Sequence, residues 1–273
     1  MSLNYLQKII ITYFVILVLF WCWINFVAKT QESTSNFLFS FLFSLTPLVF
    51  GFLGIFFSKS WGWFKSSVGR AVFFISLGSF SWGAGSMMWS YFNFFKDVAM
   101  PYPSVADVGF LLASIFWVIG IVNLSRASGA HAGSKHTKGK LMLYFIPVAI
   151  VALSYYFLVV VARGGVITSS IDDYLKLFFD LAYPIGDVVI LTLALLIFSL
   201  SVNYLGGKYK TSIHALFFGF AMMYIADFVF SYTTTIGTFY VGNFGDLLFT
   251  IALFLISFGA VGFHLQTKSL NLK

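Results

Sequence analysis

The sequence predicts an all-α fold: a polytopic bundle of about eight transmembrane helices, forming one integral membrane domain over residues 1–273. Three observations carry this. First, 60% of the residues are hydrophobic and only 9% are charged, with a mean hydropathy of +0.93. A soluble domain carries about 25% charged residues, so lipid must be the solvent for this much apolar surface. Second, apolar runs recur at 9–27, 37–57, 71–95, 105–124, 141–162, 174–204, 213–232 and 244–265. Each is near the roughly 20 residues that cross a bilayer as a helix. Third, 12 of the 16 basic residues fall in alternate loops, which sets an orientation.

With the N-terminus inside, the inner segments hold Lys8, Lys59, Lys65, Arg70, Arg126, Lys135, Lys138, Lys140, Lys208, Lys210, Lys268 and Lys273. The outer side keeps Lys29, Lys96, Arg163 and Lys176. None of the nine acids lies in an inner loop: Glu32, Asp97, Asp172 and Asp173 are in outer loops, and Asp107, Asp180, Asp187, Asp227 and Asp246 are in spans near their outer ends. The expectation is a plasma-membrane protein with both termini cytoplasmic. Its net charge of +7 then serves membrane lipid of the inner leaflet, not nucleic acid.

The first run is longer than the 7–15 apolar residues of a signal peptide and reads as an uncleaved anchor, with a cut near Ala28 as the alternative. It holds the single cysteine, Cys22, which excludes an internal disulfide; no Cys/His metal spacing and no cofactor motif is present. The 36 phenylalanines read as lipid-facing surface. In the third run, Ser79/Gly83 and Ser81/Gly85 place small residues one turn apart, so that another helix can approach closely, within the chain or across a homodimer. Trp21, Trp23, Trp61, Trp63, Trp89 and Tyr232 fall near run ends and read as interface anchors. The loop 125–140 is flexible and basic: a topology determinant, or the dock of a cytoplasmic signalling partner. His131 and His136 within it lack the company a metal needs.

The sixth run contains two carboxylates, Asp180 and Asp187, with Pro184 between them. A carboxylate in a transmembrane segment costs roughly 2.5–3.5 kcal/mol, so it is rarely incidental. Either the whole run is one tilted span, or 172–183 forms an interfacial turn and Pro184 opens the span. Asp227 lies about five residues from the outer end of the seventh run, deep enough to need a partner. Asp180, Tyr183, Asp187, Tyr224 and Asp227 are therefore the candidate ligand-binding residues, lining an acidic cavity open to the outside. Asp107 and Asp246 follow Ser104 and Asn243 at capping-box spacing and read first as helix caps. Aligning Asp107 with Asp246 also aligns Gly120 with Gly259, and Pro184-Ile185-Gly186-Asp187 makes a looser third copy. The expectation is a repeated hairpin, in runs 3–4, 5–6 and 7–8, each re-entering through a small residue–Asp step.

Pro103, Ser104, Ala106 and Asp107; Asp180, Leu181, Tyr183, Pro184 and Asp187; and Ala226 and Asp227 give the chain a family likeness. Over roughly 70–265 it resembles the multi-span membrane sensor regions that precede diguanylate cyclase, phosphodiesterase or histidine kinase domains in prokaryotic signalling proteins. The resemblance implies a sensor module. No cyclase or kinase signature is present in the sequence, so signalling would pass through a separate protein. Three other readings stand beside it. Intramembrane acids, repeats and a proline-interrupted helix also suit a secondary transporter or proton-coupled carrier. A structural or assembly subunit needs no ligand. An aspartyl protease would pair Asp227 with Asp246, but the sequence reads Asn243-Phe244-Gly245-Asp246 and lacks the first glycine of that motif, so no enzyme is expected.

Overall fold

The computed structural model describes residues 5–96, 102–128, 130, 134–166, 174–201 and 210–270. His131, Asp97, Asp172, Asp173, Lys208 and Lys273, singled out above, lie outside the described residues. Among the described residues there is no strand, and eight helices are long and apolar enough to span a membrane. They are α1 (Tyr5–Cys22), α2 (Thr34–Phe57), α3 (Ser67–Tyr91), α4 (Val105–Ala127), α5 (Thr137–Ser154), α6 (Tyr174–Ser201), α7 (Lys210–Thr235) and α8 (Phe244–Leu270). Wider π-type turns extend α1 over Trp23–Ala28 and α5 over Tyr155–Val161. A helix satisfies its own backbone hydrogen bonds, which lipid cannot do, so the apolar runs have no open alternative.

The helix starts follow the local sequence. Ser66 caps α3 by accepting from the Gly69 N–H at 2.8 Å. At α4 the predicted capping box is present, and Asp107 Oδ2 accepts from the Ser104 N–H at 2.6 Å. At α8 the arrangement is shifted: Asn243 Oδ1 accepts from the Asp246 N–H at 3.2 Å, but Asp246 Oδ2 accepts from Gly242, at 2.6 Å. Gly242 has a φ of +83°, a left-handed turn in which only glycine is unstrained.

The bundle is built on two hairpins packed in the same way. A Cβ on Gly78 of α3 would stand 2.5 Å from Trp117 Cδ1 and 3.0 Å from the Ala113 carbonyl oxygen on α4. One on Gly219 of α7 would stand 2.7 Å from Ile256 Cγ1 and 3.2 Å from the Ala252 carbonyl oxygen on α8. The reciprocal contacts match too. Gly120 faces Ile75 and Ala71; Gly259 faces Leu216 and Ser212. The pairs Gly78–Gly219, Ile75–Leu216 and Ala71–Ser212 keep one register, and Ala113–Ala252, Trp117–Ile256, Gly120–Gly259 and Asp107–Asp246 keep another. The α3–α4 and α7–α8 hairpins are therefore structural repeats, fastened where missing side chains let backbones meet.

The third copy is not one. Pro184 and Asp187 lie inside α6, which runs unbroken from Tyr174 to Ser201, so Pro184 opens no span and 174–183 is no separate turn. Proline is tolerated in such a helix when its freed backbone carbonyl finds another donor, and that donor is identified below. The small-residue stripe of α3 is used within the chain: Gly83 faces Leu48 of α2, Gly85 faces Ala106 and Phe110 of α4, and Ser81 Oγ donates to the Gly109 carbonyl at 2.9 Å. Trp82 fills the centre against Phe43, Phe110 and Phe249, tying α2, α3, α4 and α8 together. Trp21 is also a core residue rather than an interface anchor; it is buried, and its indole N–H donates to the Asn243 carbonyl at 3.0 Å. Trp23, Trp63 and Tyr232 do remain exposed. By contrast with the hairpins, α5 and α6 are peripheral: 17% of each span is buried, against 67% for α8.

Candidate functional site

Polar side chains meet where α4 and α6 begin and where α5 and α7 end, the outer end by the charge pattern. Spacing places Asp180, Tyr183 and Asp187 on one face of α6, and Tyr224, Asp227 and Ser231 on one face of α7. Arg163 stands just past the π-type turn that ends α5, and Tyr102 lies in the turn before α4.

Asp107 does two jobs. While Oδ2 closes the capping box, Oδ1 accepts from the Tyr183 hydroxyl at 2.6 Å, which joins α4 to α6. Tyr102 donates to Asp180 Oδ1 at 2.8 Å. Partial burial, the hydrogen bond to Asp180 and the charges of Asp180 and Asp107 push the Tyr102 phenol above its ordinary value, against a smaller opposing pull from Arg163. It therefore stays a neutral donor. Arg163 donates through Nη1 to the Asp180 backbone carbonyl at 2.9 Å and through Nε to Ser231 Oγ at 3.3 Å. The first bond explains the proline. Pro184 has no N–H, so the carbonyl four residues earlier, that of Asp180, loses its helical partner; the guanidinium replaces it.

Deeper in, Asp187 of α6 and Asp227 of α7 bring their carboxyls side by side, close enough to share a hydrogen bond. Ionised carboxylates only accept, so such a bond requires one proton held between the two. Both residues are half-buried. Tyr224 turns away and donates to Ser154 Oγ on α5 at 2.8 Å. Among the described residues no three His, Cys, Asp or Glu side chains converge as a metal site.

The five predicted ligand residues lie together: Asp180 and Tyr183 are tied into the network, Asp187 meets Asp227, and Tyr224 stands within reach of the Asp187 charge while its hydroxyl fastens to Ser154. The acids are cross-linked: Asp107 and Asp180 accept from tyrosine hydroxyls, and Asp187 lies against Asp227. Asp246 is elsewhere, held by the Gly242 N–H beside α1 and α2, so it is not paired with Asp227. Arg163 was not singled out by the sequence. The signal was there: it is the one arginine among the four cations that the charge pattern assigns to the outer side, and Pro184 leaves a carbonyl that needs a donor.

The repeat identifies what is special here. Ser86 follows Gly78 in α3 as Asp227 follows Gly219 in α7, eight residues on. Ser86 is hydrogen-bonded to Ser44 of α2 at 2.5 Å, and Asp227 to Asp187 of α6. One half of the bundle closes this position with two hydroxyls and the other with two carboxyls. No protein-family model, no curated protein and no solved structure matches the chain, so the reading of this site rests on its own geometry.

Proposed function

We propose that this multi-pass membrane protein is a sensor-type receptor module in which the Asp187–Asp227 pair binds a small monovalent cation or a primary amine from the outer side. The observation that carries the reading is the contrast with Ser44–Ser86. A serine pair closes the equivalent position, so packing does not require acids there, and acids at membrane depth are expensive. A cation takes the place of the shared proton and is held by both carboxyls. Binding thereby changes what links α6 to α7, and α6 shifts against the rigid hairpins, a population shift between two packings. The basic segment 125–140, which runs from the last turn of α4 into the first turn of α5, passes the shift to a cytoplasmic partner.

The test uses purified protein in nanodiscs, with thermal unfolding followed against a panel of alkali cations and primary amines at constant ionic strength. The wild type should be stabilised by at least one of them. A protein with both Asp187→Ser and Asp227→Ser, copying the serine pair, should fold and lose that response. An unchanged response in the double variant, or none in the wild type, would sink the reading.

A second reading is favoured by one observation. Duplicated helical units around a polar site are a transporter architecture, and α3–α4 and α7–α8 are such a duplication. Cation or amine uptake into proteoliposomes above that of protein-free vesicles would favour a carrier over a sensor.

A further inference from the structure

The opposite end of the bundle holds a cavity of about 380 Å³ between α4, α5 and α6. Val122, Leu143, Leu193, Ile197 and Leu200 make its wall, and Ser125 and Arg126 stand at its polar side. The volume falls at the small end of ligand pockets. It lies between the two least buried spans, so its wall is continuous with surface that meets lipid.

The charge at this end differs from that of the core. Arg70, at the same end, is built into the fold: Nε donates to Asn123 Oδ1 at 2.8 Å and Nη1 to the Phe64 carbonyl at 2.6 Å. Arg126 is exposed on the cavity rim. Lys140 is exposed one turn before Leu143, on the same side of α5. The sequence has no carboxylate between Asp107 and Asp172, nor between Asp187 and Asp227, so α4, α5 and the α6 wall of the cavity provide no acid to neutralise this rim. A cation in the last turn of α4 answers the helix dipole, but that does not account for an apolar cavity under it.

We infer that the α4–α5–α6 cavity is a binding site for an anionic phospholipid, its phosphate held by Arg126 and Lys140 and the upper acyl chain on Leu193, Ile197 and Leu200. The wall is mainly aliphatic, which selects a lipid over a free phosphate. Basic pockets between transmembrane helices recognise headgroups in this way. The inference is independent of the outer acid pair.

The experiment is photo-crosslinking in nanodiscs with phosphatidylglycerol or phosphatidylcholine carrying the same photoreactive acyl chain, mapped by peptide mass spectrometry. Phosphatidylglycerol should label peptides spanning 122–143 and 193–200 about fivefold more than phosphatidylcholine. Arg126→Gln should bring the two lipids level, Arg126→Lys should keep most of the preference, and inorganic phosphate should not compete. Size-exclusion profiles check that the variants stay folded. Equal labelling by the two lipids in the wild type, an unchanged preference in Arg126→Gln, or displacement by inorganic phosphate would each overturn it.

Discussion

The two halves of the bundle solve one packing problem with different chemistry. Between α2 and α3 glycine does the work: a Cβ on Gly51 would stand 2.5 Å from the Phe80 nitrogen, and Ser44 and Ser86 close the polar position with a neutral bond. The glycine of α6 is placed differently. A Cβ on Gly186 would meet only Ser114, at 3.5 Å, an ordinary contact. The helix is held instead by Tyr183–Asp107, Arg163–Asp180, Tyr102–Asp180 and Asp187–Asp227. Backbone contact is short-ranged and has one solution; polar links can be exchanged for water, a proton or an ion. On the proposed reading, α6 is the element a ligand addresses, and the repeated hairpins are what it moves against.

The largest effect should come from breaking the glycine side. Gly78→Leu and Gly219→Leu each drive a side chain into opposing backbone and should cost about 3 kcal/mol or more, seen as lost folded yield and lower thermal stability. Gly186→Ala, on the polar side, should leave both unchanged. If all three behave alike, the contrast is wrong.

Next comes the acid pair. Asp187→Ala leaves Asp227 without its partner and should cost about 2 kcal/mol in thermal unfolding. The double change to serine should recover most of that loss, because the first half shows two hydroxyls closing the same position. A double variant no more stable than the single would show that the halves are not equivalent there.

Tyr183→Phe removes only the bond to Asp107 and should cost about 1 kcal/mol. Hydrogen exchange should rise at the start of α6 and stay unchanged in α3. The smallest effect belongs to Tyr102. Its phenol is raised in the folded protein, so its contribution is complete below the ordinary phenol value near 10 and is lost as pH climbs beyond it. Ultraviolet titration of wild type against Tyr102→Phe should show one phenol ionising late; an ordinary midpoint would remove the Asp180 link from the cluster.

Much of this was legible from residue order. Spans follow from length and hydropathy, which act locally, and all eight appear with ends within a few residues of those expected. The match of Asp107 with Asp246 and Gly120 with Gly259 marked a true repeat, because small residues and caps leave a sequence trace. Pro184 misled for a physical reason: proline ends a helix in water, but inside a bundle Arg163 supplies the donor that it lacks. Trp21 misled because a run end in sequence need not be a bilayer interface; Asn243 covers its indole.

Composition and order alone thus determined that the chain is a helical bundle with, among the described residues, eight helices long and apolar enough to span a membrane, and which acids fall within those helices, since each depends on the transfer of single segments from water to lipid. Which acid meets which partner was decided only by the tertiary structure. Asp187 and Asp227 are paired, Asp107 is shared between a cap and Tyr183, Asp246 is set apart, and Arg163 is drawn in. Those pairings depend on the rotation and offset of helices far apart in sequence: glycines on α3, α4, α7 and α8 fix the two hairpins, and the polar links themselves seat α6 against them.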